Sequence, residues 1–94
     1  MSLEVTSVDG VVVIAVSGLL DAEAGAALVR AARHAAEGAP TRLDIDLQCL
    51  DGFTDEGAAA LVTCRDVGNA LAEGLHYRTG RGAGRDALLA AYAR

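Results

Sequence analysis

The chain turns on one stretch: Arg42-Leu43-Asp44-Ile45-Asp46-Leu47, then Gln48-Cys49-Leu50-Asp51-Gly52, then Phe53-Thr54-Asp55-Glu56-Gly57 and Ala58-Ala59-Ala60-Leu61. Leu43, Ile45 and Leu47 alternate with polar residues, which predicts a half-buried strand over 42–47. Downstream, Leu61, Cys64, Gly68 and Leu71 recur at spacings of three and four, which predicts a helix running to Ala72 with one small, apolar side. Thr54 is placed to cap it, because its hydroxyl can accept an unpaired amide of the first turn. Asp55 and Glu56 then fall where the helix dipole favours negative charge. A strand, a short loop carrying Cys49 and a helix start therefore converge on a displayed acidic turn.

The flanks complete an α/β pattern. Leu3 to Val8 reads as a first strand, and Asp9-Gly10 is a strong two-residue hairpin signal. Val11 to Ser17 is nearly continuous in β-branched residues and reads as a central strand buried on both faces. Gly18-Leu19-Leu20 is expected to be a connection, and Asp21 an N-cap for a helix over 22–37. That helix is rich in Ala, with Leu28 and Val29 its only large apolar residues, and Gly38-Ala39-Pro40 ends it. After Glu73-Gly74, residues 75–79 read as an edge strand. Residues 80–84 form a Gly-rich loop, and 85–93 a short helix with Leu88, Leu89 and Tyr92 on its apolar side. The predicted order is β-β-α-β-α-β-α: a hairpin feeding right-handed β-α-β units, in a single domain spanning 1–94.

Composition narrows the function classes. A chain of 94 residues has room for one core. It is 52% hydrophobic, which predicts folding, but only 3% aromatic, so Ala, Val, Leu and Ile must build the interior. Such a core is thin, which predicts modest stability or an oligomer, a homodimer among them, that buries extra surface. No apolar run is long enough to span a membrane and no basic-then-apolar leader is visible, so the expected location is the cytoplasm. The net charge of −5 argues against nucleic acid as partner. Asp44, Asp46, Asp51, Asp55 and Glu56 fall close together in sequence, whereas Arg78, Arg81, Arg85 and Arg94 crowd the tail. Either these are solvated faces or the acidic end meets a basic partner surface. Every basic residue is Arg and Ala is abundant, as in a GC-rich bacterial genome.

Chemistry is hard to find. Cys49 and Cys64 match neither a redox pair nor a metal knuckle and read as small apolar fillers. His34 and His76 sit far apart on different elements. No serine has a histidine and carboxylate in support. The Gly80–Gly84 loop lacks the lysine and hydroxyl of a phosphate-binding loop. Asp51, Asp55 and Glu56 do not have the spacing of a calcium loop, so no metal is expected. A phosphoryl-accepting receiver domain, with Asp46 or Asp51 as acceptor, would need an acidic pair after the first strand and a late lysine, and the chain has neither. The reading is not an enzyme, and no cofactor is expected.

Two motifs carry a resemblance. Leu43–Leu61, with Thr54-Asp55-Glu56-Gly57 opening the helix, resembles the signature of STAS domains, the anti-sigma factor antagonist family, in which an Asp-Ser-Ser-Gly or Asp-Ser-Thr-Gly follows a buried strand. Upstream, Ser17-Gly18-Leu19-Leu20-Asp21 is similar to the family's Gly-Glu-Leu-Asp. The resemblance implies a STAS-like α/β fold: a four-stranded mixed sheet with helices packed on it, shortened at the C-terminus where many relatives add another strand and helix. It implies a non-enzymatic interaction module in signalling and transcription regulation. The module would bind a regulatory partner, an anti-sigma factor or kinase, through Asp21, Gly52, Phe53, Thr54, Asp55, Glu56, Gly57 and Ala58. The alternative it implies is a STAS subunit of a lipid-trafficking ABC transporter, bound to its permease and ATPase, or of a stress-signalling scaffold. Some relatives take nucleotides or lipids, which leaves small-molecule binding as a third class.

The departures from the family pattern are specific. Anchored on Gly57, the family's Asp falls on Thr54, its phosphorylated Ser on Asp55 and its second hydroxyl residue on Glu56. Asp55 is not a Ser/Thr kinase acceptor, and Thr54 would serve only if a partner read the turn one residue out of register. A phosphoserine carries about −1.5 to −2 charge, and Asp55 with Glu56 supplies a comparable amount. Either the turn is permanently phosphomimetic in charge, or the switch has been lost and the acids are helix-start residues.

Overall fold

The tight turn at Asp9-Gly10 starts the sheet. Both residues take positive φ, 53° and 82°, as a two-residue hairpin requires. It joins strand β1 (Ser2–Val8) to β2 (Val11–Leu20) in an unbroken antiparallel register from Val8↔Val11 to Ser2↔Ser17. Helix α1 (Ala22–Glu37), strand β3 (Arg42–Phe53), helix α2 (Asp55–Gly68), strand β4 (Leu75–Arg78) and helix α3 (Ala83–Tyr92) follow in this computed structural model, which describes residues 1–93. Arg94, part of the basic tail noted above, lies outside the described residues.

The four strands lie in sequence order, with β2–β3 and β3–β4 parallel. The two parallel crossovers step the same way across the sheet, so right-handed connections place α1 and α2 on one face. Ile14, Val16, Leu20, Leu43, Ile45 and Leu47 on that face join Leu28, Leu61, Cys64 and Ala87 from the helices in a single core. Burial pushes the Cys64 thiol up to about 12.

The opposite sheet face carries no helix among the described residues, which corrects the expectation of a β2 buried on both faces. Ile14 and Val16 are buried, but Val11, Val13 and Ala15, which alternate with them onto the opposite face, are only half-buried. A β-branched run specifies a pleated, half-buried surface and cannot say whether a second layer covers it.

Both central strands are longer than predicted. β2 continues through Leu20 and β3 through Phe53, pairing Ser17↔Cys49, Gly18↔Leu50, Leu19↔Gly52 and Leu20↔Phe53 across two register shifts. Cys49 is therefore an exposed strand residue, not part of a connecting loop. The shifts break the two-residue period, so the extension is invisible to pattern and is held by backbone pairing.

The helices are close to expectation, with three differences. Asp21 caps α1, its Oδ1 accepting the Ala24 amide at 2.9 Å. At the other end Gly38 keeps helical backbone (φ −74°) and Ala39 takes the left-handed turn at φ +50°. α2 stops at Gly68, not Ala72. There the chain is drawn to the sheet edge, where the Glu73 amide donates to the Thr41 carbonyl (2.9 Å) and the Leu43 amide to the Gly74 carbonyl (3.1 Å). Leu71 sits in the resulting turn and still packs on the core. α3 begins at Ala83, and Gly84, Ala87, Leu88 and Ala91 form its inner side while Leu89 is 58% exposed. The i, i+3, i+4, i+7 set built on Gly84 outranks Leu89, because only glycine fits against the Leu47 carbonyl.

Candidate functional site

The site forms at the carboxyl ends of β2 and β3, where α1 and α2 begin. Leu20 pairs with Phe53 in the last step of the ladder, and the Thr54 amide donates to the Leu20 carbonyl at 3.0 Å. Thr54 then leaves the strand in extended backbone (φ −108°, ψ 165°), and its Oγ1 accepts the Gly57 amide at 3.1 Å. This is an N-cap as the residue type predicted. Its hydroxyl is thereby engaged in holding the turn.

Gly57 fixes how close the helix comes. A side-chain carbon there would lie 2.5 Å from the Leu20 carbonyl carbon and 2.9 Å from the Asp21 oxygen. Only glycine permits that approach. It brings the first turn of α2 against Asp21, whose own carbonyl accepts the Gly25 amide at 2.8 Å. Gly25 in turn faces Ala60, so small residues set the α1–α2 separation.

The expected site residues thus come together but divide by role. Gly57 and Ala58 are buried, and Gly57 sets how closely the turn approaches β2. Asp21, Gly52, Phe53 and Thr54 are half-buried, Phe53 packing against the core. Asp55 and Glu56 are exposed, and neither carboxylate has an ion-pair partner among the described residues. Asp55 also stands at the mouth of a 570 Å³ groove between α2 and α3, lined by Ala59, Val62, Thr63, Ala90, Ala91 and Tyr92. The pattern of α2 did not reveal this groove, because its far wall comes from α3. Arg65 lies 5.8 Å over the Tyr92 ring, and Tyr77 meets Tyr92 edge-on at 6.4 Å. The Tyr77 hydroxyl donates to the Leu61 carbonyl, and burial is the main cause that drives its pKa up.

The acidic stretch is not one cluster. Asp44 is 2% exposed on the helix-free face, where Arg42 (2.8 Å) and Arg78 (2.8 Å) grip its two oxygens. The strand advances roughly 3.3 Å per residue, so Asp44 and Asp46 are carried far from Asp51, Asp55 and Glu56. Arg78 is likewise no free tail charge. Among the described residues no group of His, Cys, Asp and Glu side chains converges as metal ligands.

No family model matches the sequence, and no curated protein matches it significantly. Solved structures do. An anti-sigma factor antagonist from Mycobacterium paratuberculosis superposes with a TM-score of 0.68 at 27% identity, over 81% of this chain and 64% of that one. The chain has a STAS-type fold. The anti-sigma factor antagonist SpoIIAA in its unphosphorylated form aligns at TM-score 0.70 and 18% identity, covering 90% of this chain and 78% of that one. The Bacillus cell fate determinant SpoIIAA in its phosphorylated form aligns at 0.70 and 19%, covering 94% and 80%. The four-stranded mixed sheet and the β-β-α-β-α-β-α order are those expected of this STAS-type chain. It spans just under two-thirds of the mycobacterial antagonist. No helix in the described residues is long and apolar enough to cross a membrane.

Proposed function

We propose that this chain is a non-enzymatic interaction module of the anti-sigma factor antagonist type, which binds a regulatory protein through the turn between β3 and α2 and is not switched by serine phosphorylation. One observation carries the proposal: Asp55 and Glu56 stand exposed and without ion-pair partners on a helix start that Thr54 and Gly57 hold rigidly. Two free carboxylates there suit a basic partner surface, and the groove of mixed polarity that Asp55 helps line suits an amphipathic partner helix. Position 55 offers a Ser/Thr kinase no hydroxyl. The setting of the turn is fixed in the sequence.

The experiment is co-purification and calorimetry with candidate anti-sigma kinases, comparing wild type with Asp55→Ser. A phosphomimetic turn predicts weak binding by wild type and gain of both binding and phosphorylation by Asp55→Ser. A lost switch predicts binding by wild type that Asp55→Ser keeps while becoming a kinase substrate. If neither protein binds any such kinase and Asp55→Ser accepts no phosphate, the proposal is wrong.

A further inference from the structure

The two edges of the sheet are guarded very differently. β4 spans Leu75–Arg78, carries His76 and Arg78, and is followed by the Gly-rich loop. Short length and charge are the usual protections of an edge. β1 has neither. It runs Ser2–Val8 in perfect register with β2, with no bulge, proline or basic residue, and Glu4 is its single charge. Val5 is 54% and Val8 67% exposed.

The hairpin determines which backbone groups this edge leaves open. A two-residue turn makes Val8↔Val11 a hydrogen-bonded pair, so Thr6, Glu4 and Ser2 also direct their amides and carbonyls to β2. Leu3, Val5 and Ser7 direct theirs outward. The side chains of these same residues lie on the helix-bearing face, because Leu3 pairs with Val16, Val5 with Ile14 and Ser7 with Val12. There Val5, Val12, Ala31 and Ala35 line an apolar groove of 340 Å³ between the edge and α1.

We infer that β1 is the interface of a homodimer, in which two copies pair β1 antiparallel about a two-fold axis through Val5 and make one continuous sheet. The strand is self-complementary in that register. Ser2–Val8 is symmetric about Val5, so the overlap is the longest available. Val5 meets the partner's Val5, and Leu3 meets the partner's Ser7. These are the outward-directed residues, so each pair exchanges both hydrogen bonds. On the other face Glu4 lies opposite the partner's Thr6 and not opposite the partner's Glu4, so no like charges face each other. The partner's Val5 also comes down beside Val5 at the mouth of the groove. The register centred on Glu4 would put two carboxylates face to face, and the one centred on Thr6 shortens the ladder. A second copy is the occupant that matches length, charge and hydrogen-bond phase together.

Sedimentation equilibrium and light scattering on the full chain across a dilution series test this, with Val5→Pro as the diagnostic variant. Its missing N–H is one that β2 does not use, so the hairpin keeps its ladder while the intermolecular one loses its centre. Dimer affinity is expected to fall roughly 100-fold. Val5→Lys serves as a second variant with the same expected direction, and circular dichroism verifies that each folds. In a Cys49→Ser background, Glu4→Cys with Thr6→Cys places thiols across a non-hydrogen-bonded pair about 4.5 Å apart between Cα atoms, within disulfide reach. Mild oxidation should then give a covalent dimer that Val5→Pro abolishes. A chain that stays monomeric at its solubility limit overturns the inference and leaves the edge to a strand of another protein. A dimer that folded Val5→Pro and Val5→Lys leave intact, with no cross-link between the introduced thiols, overturns it as well. Neither result bears on partner binding at the β3–α2 turn.

Discussion

Replacing Gly57 by alanine sets two rules against each other. Gly57 lies in the first turn of α2, where helix propensity alone makes Gly→Ala stabilising by about 1 kcal/mol. The packing says the reverse. The new methyl would stand 2.5 Å from the Leu20 carbonyl carbon and 2.9 Å from the Asp21 oxygen. Those atoms are backbone, so no side chain can rotate away. α2 must back off from the end of β2, and the 3.0 Å bond from the Thr54 amide to the Leu20 carbonyl is the first to stretch. Overpacking typically costs about 1–3 kcal/mol and the lost hydrogen bond about 1 more. Less the propensity gain, the net loss is about 1–3 kcal/mol, a sizeable share of the ~5–15 kcal/mol that holds a small domain. The melting temperature should drop by roughly 5–20 °C. Urea unfolding followed by circular dichroism measures this directly. Gly38→Ala is the matched control. Its φ is −74° and a methyl there meets only the Ala35 carbonyl at 3.5 Å, so it should be neutral or slightly stabilising. If Gly57→Ala unfolds within about 0.5 kcal/mol of wild type, the close approach of α2 to β2 is refuted, and with it the account of how the acidic turn is positioned.

Three further outcomes follow from local features. Asp44→Ala should cost about 2 kcal/mol in urea unfolding; it leaves Arg78 without its carboxylate and Arg42 with only Glu73 at 3.9 Å, but both arginines are partly solvated, which moderates the loss. Ala39→Gly should raise stability by roughly 1 kcal/mol, because Ala39 holds a left-handed φ of +50° that glycine adopts freely, and a thermal shift scan measures it. Cys64 makes stability fall at high pH. Its thiol is raised from 9.0 to about 12 in the folded chain, so the unfolded chain loses the proton first and deprotonation favours unfolding. Stability is full below pH 9 and declines by up to about 1.4 kcal/mol per pH unit between 9 and 12. Cys64→Ala should be less stable at pH 8 yet lose this part of the slope, and urea curves at stepped pH separate the two.

Much of the site was legible because its signals are local. Thr54 and Asp21 cap their helices as a hydroxyl and a carboxylate at those positions should, and the strand–turn–helix around Gly57 stands where the alternation and the three-four spacing put it. What misled were inferences that treated sequence distance as spatial distance. Asp44 read as a member of an acidic cluster and is instead a buried clamp for arginines from two strands. Leu89 read as core by its size and is exposed, because Gly84 and Ala87 could approach β3 more closely.

By itself the sequence determined the element order, the hairpin turn, the caps and the absence of a hydroxyl at position 55, all of which depend on residue type and neighbours within a turn or two. Only the tertiary structure decided how far β2 and β3 run, where α2 stops, that one sheet face stays without helices among the described residues, and that Asp21 and Gly57 touch. Those outcomes rest on backbone groups of distant segments finding each other and on gaps a single methyl would close, and neither leaves a periodic trace in the chain.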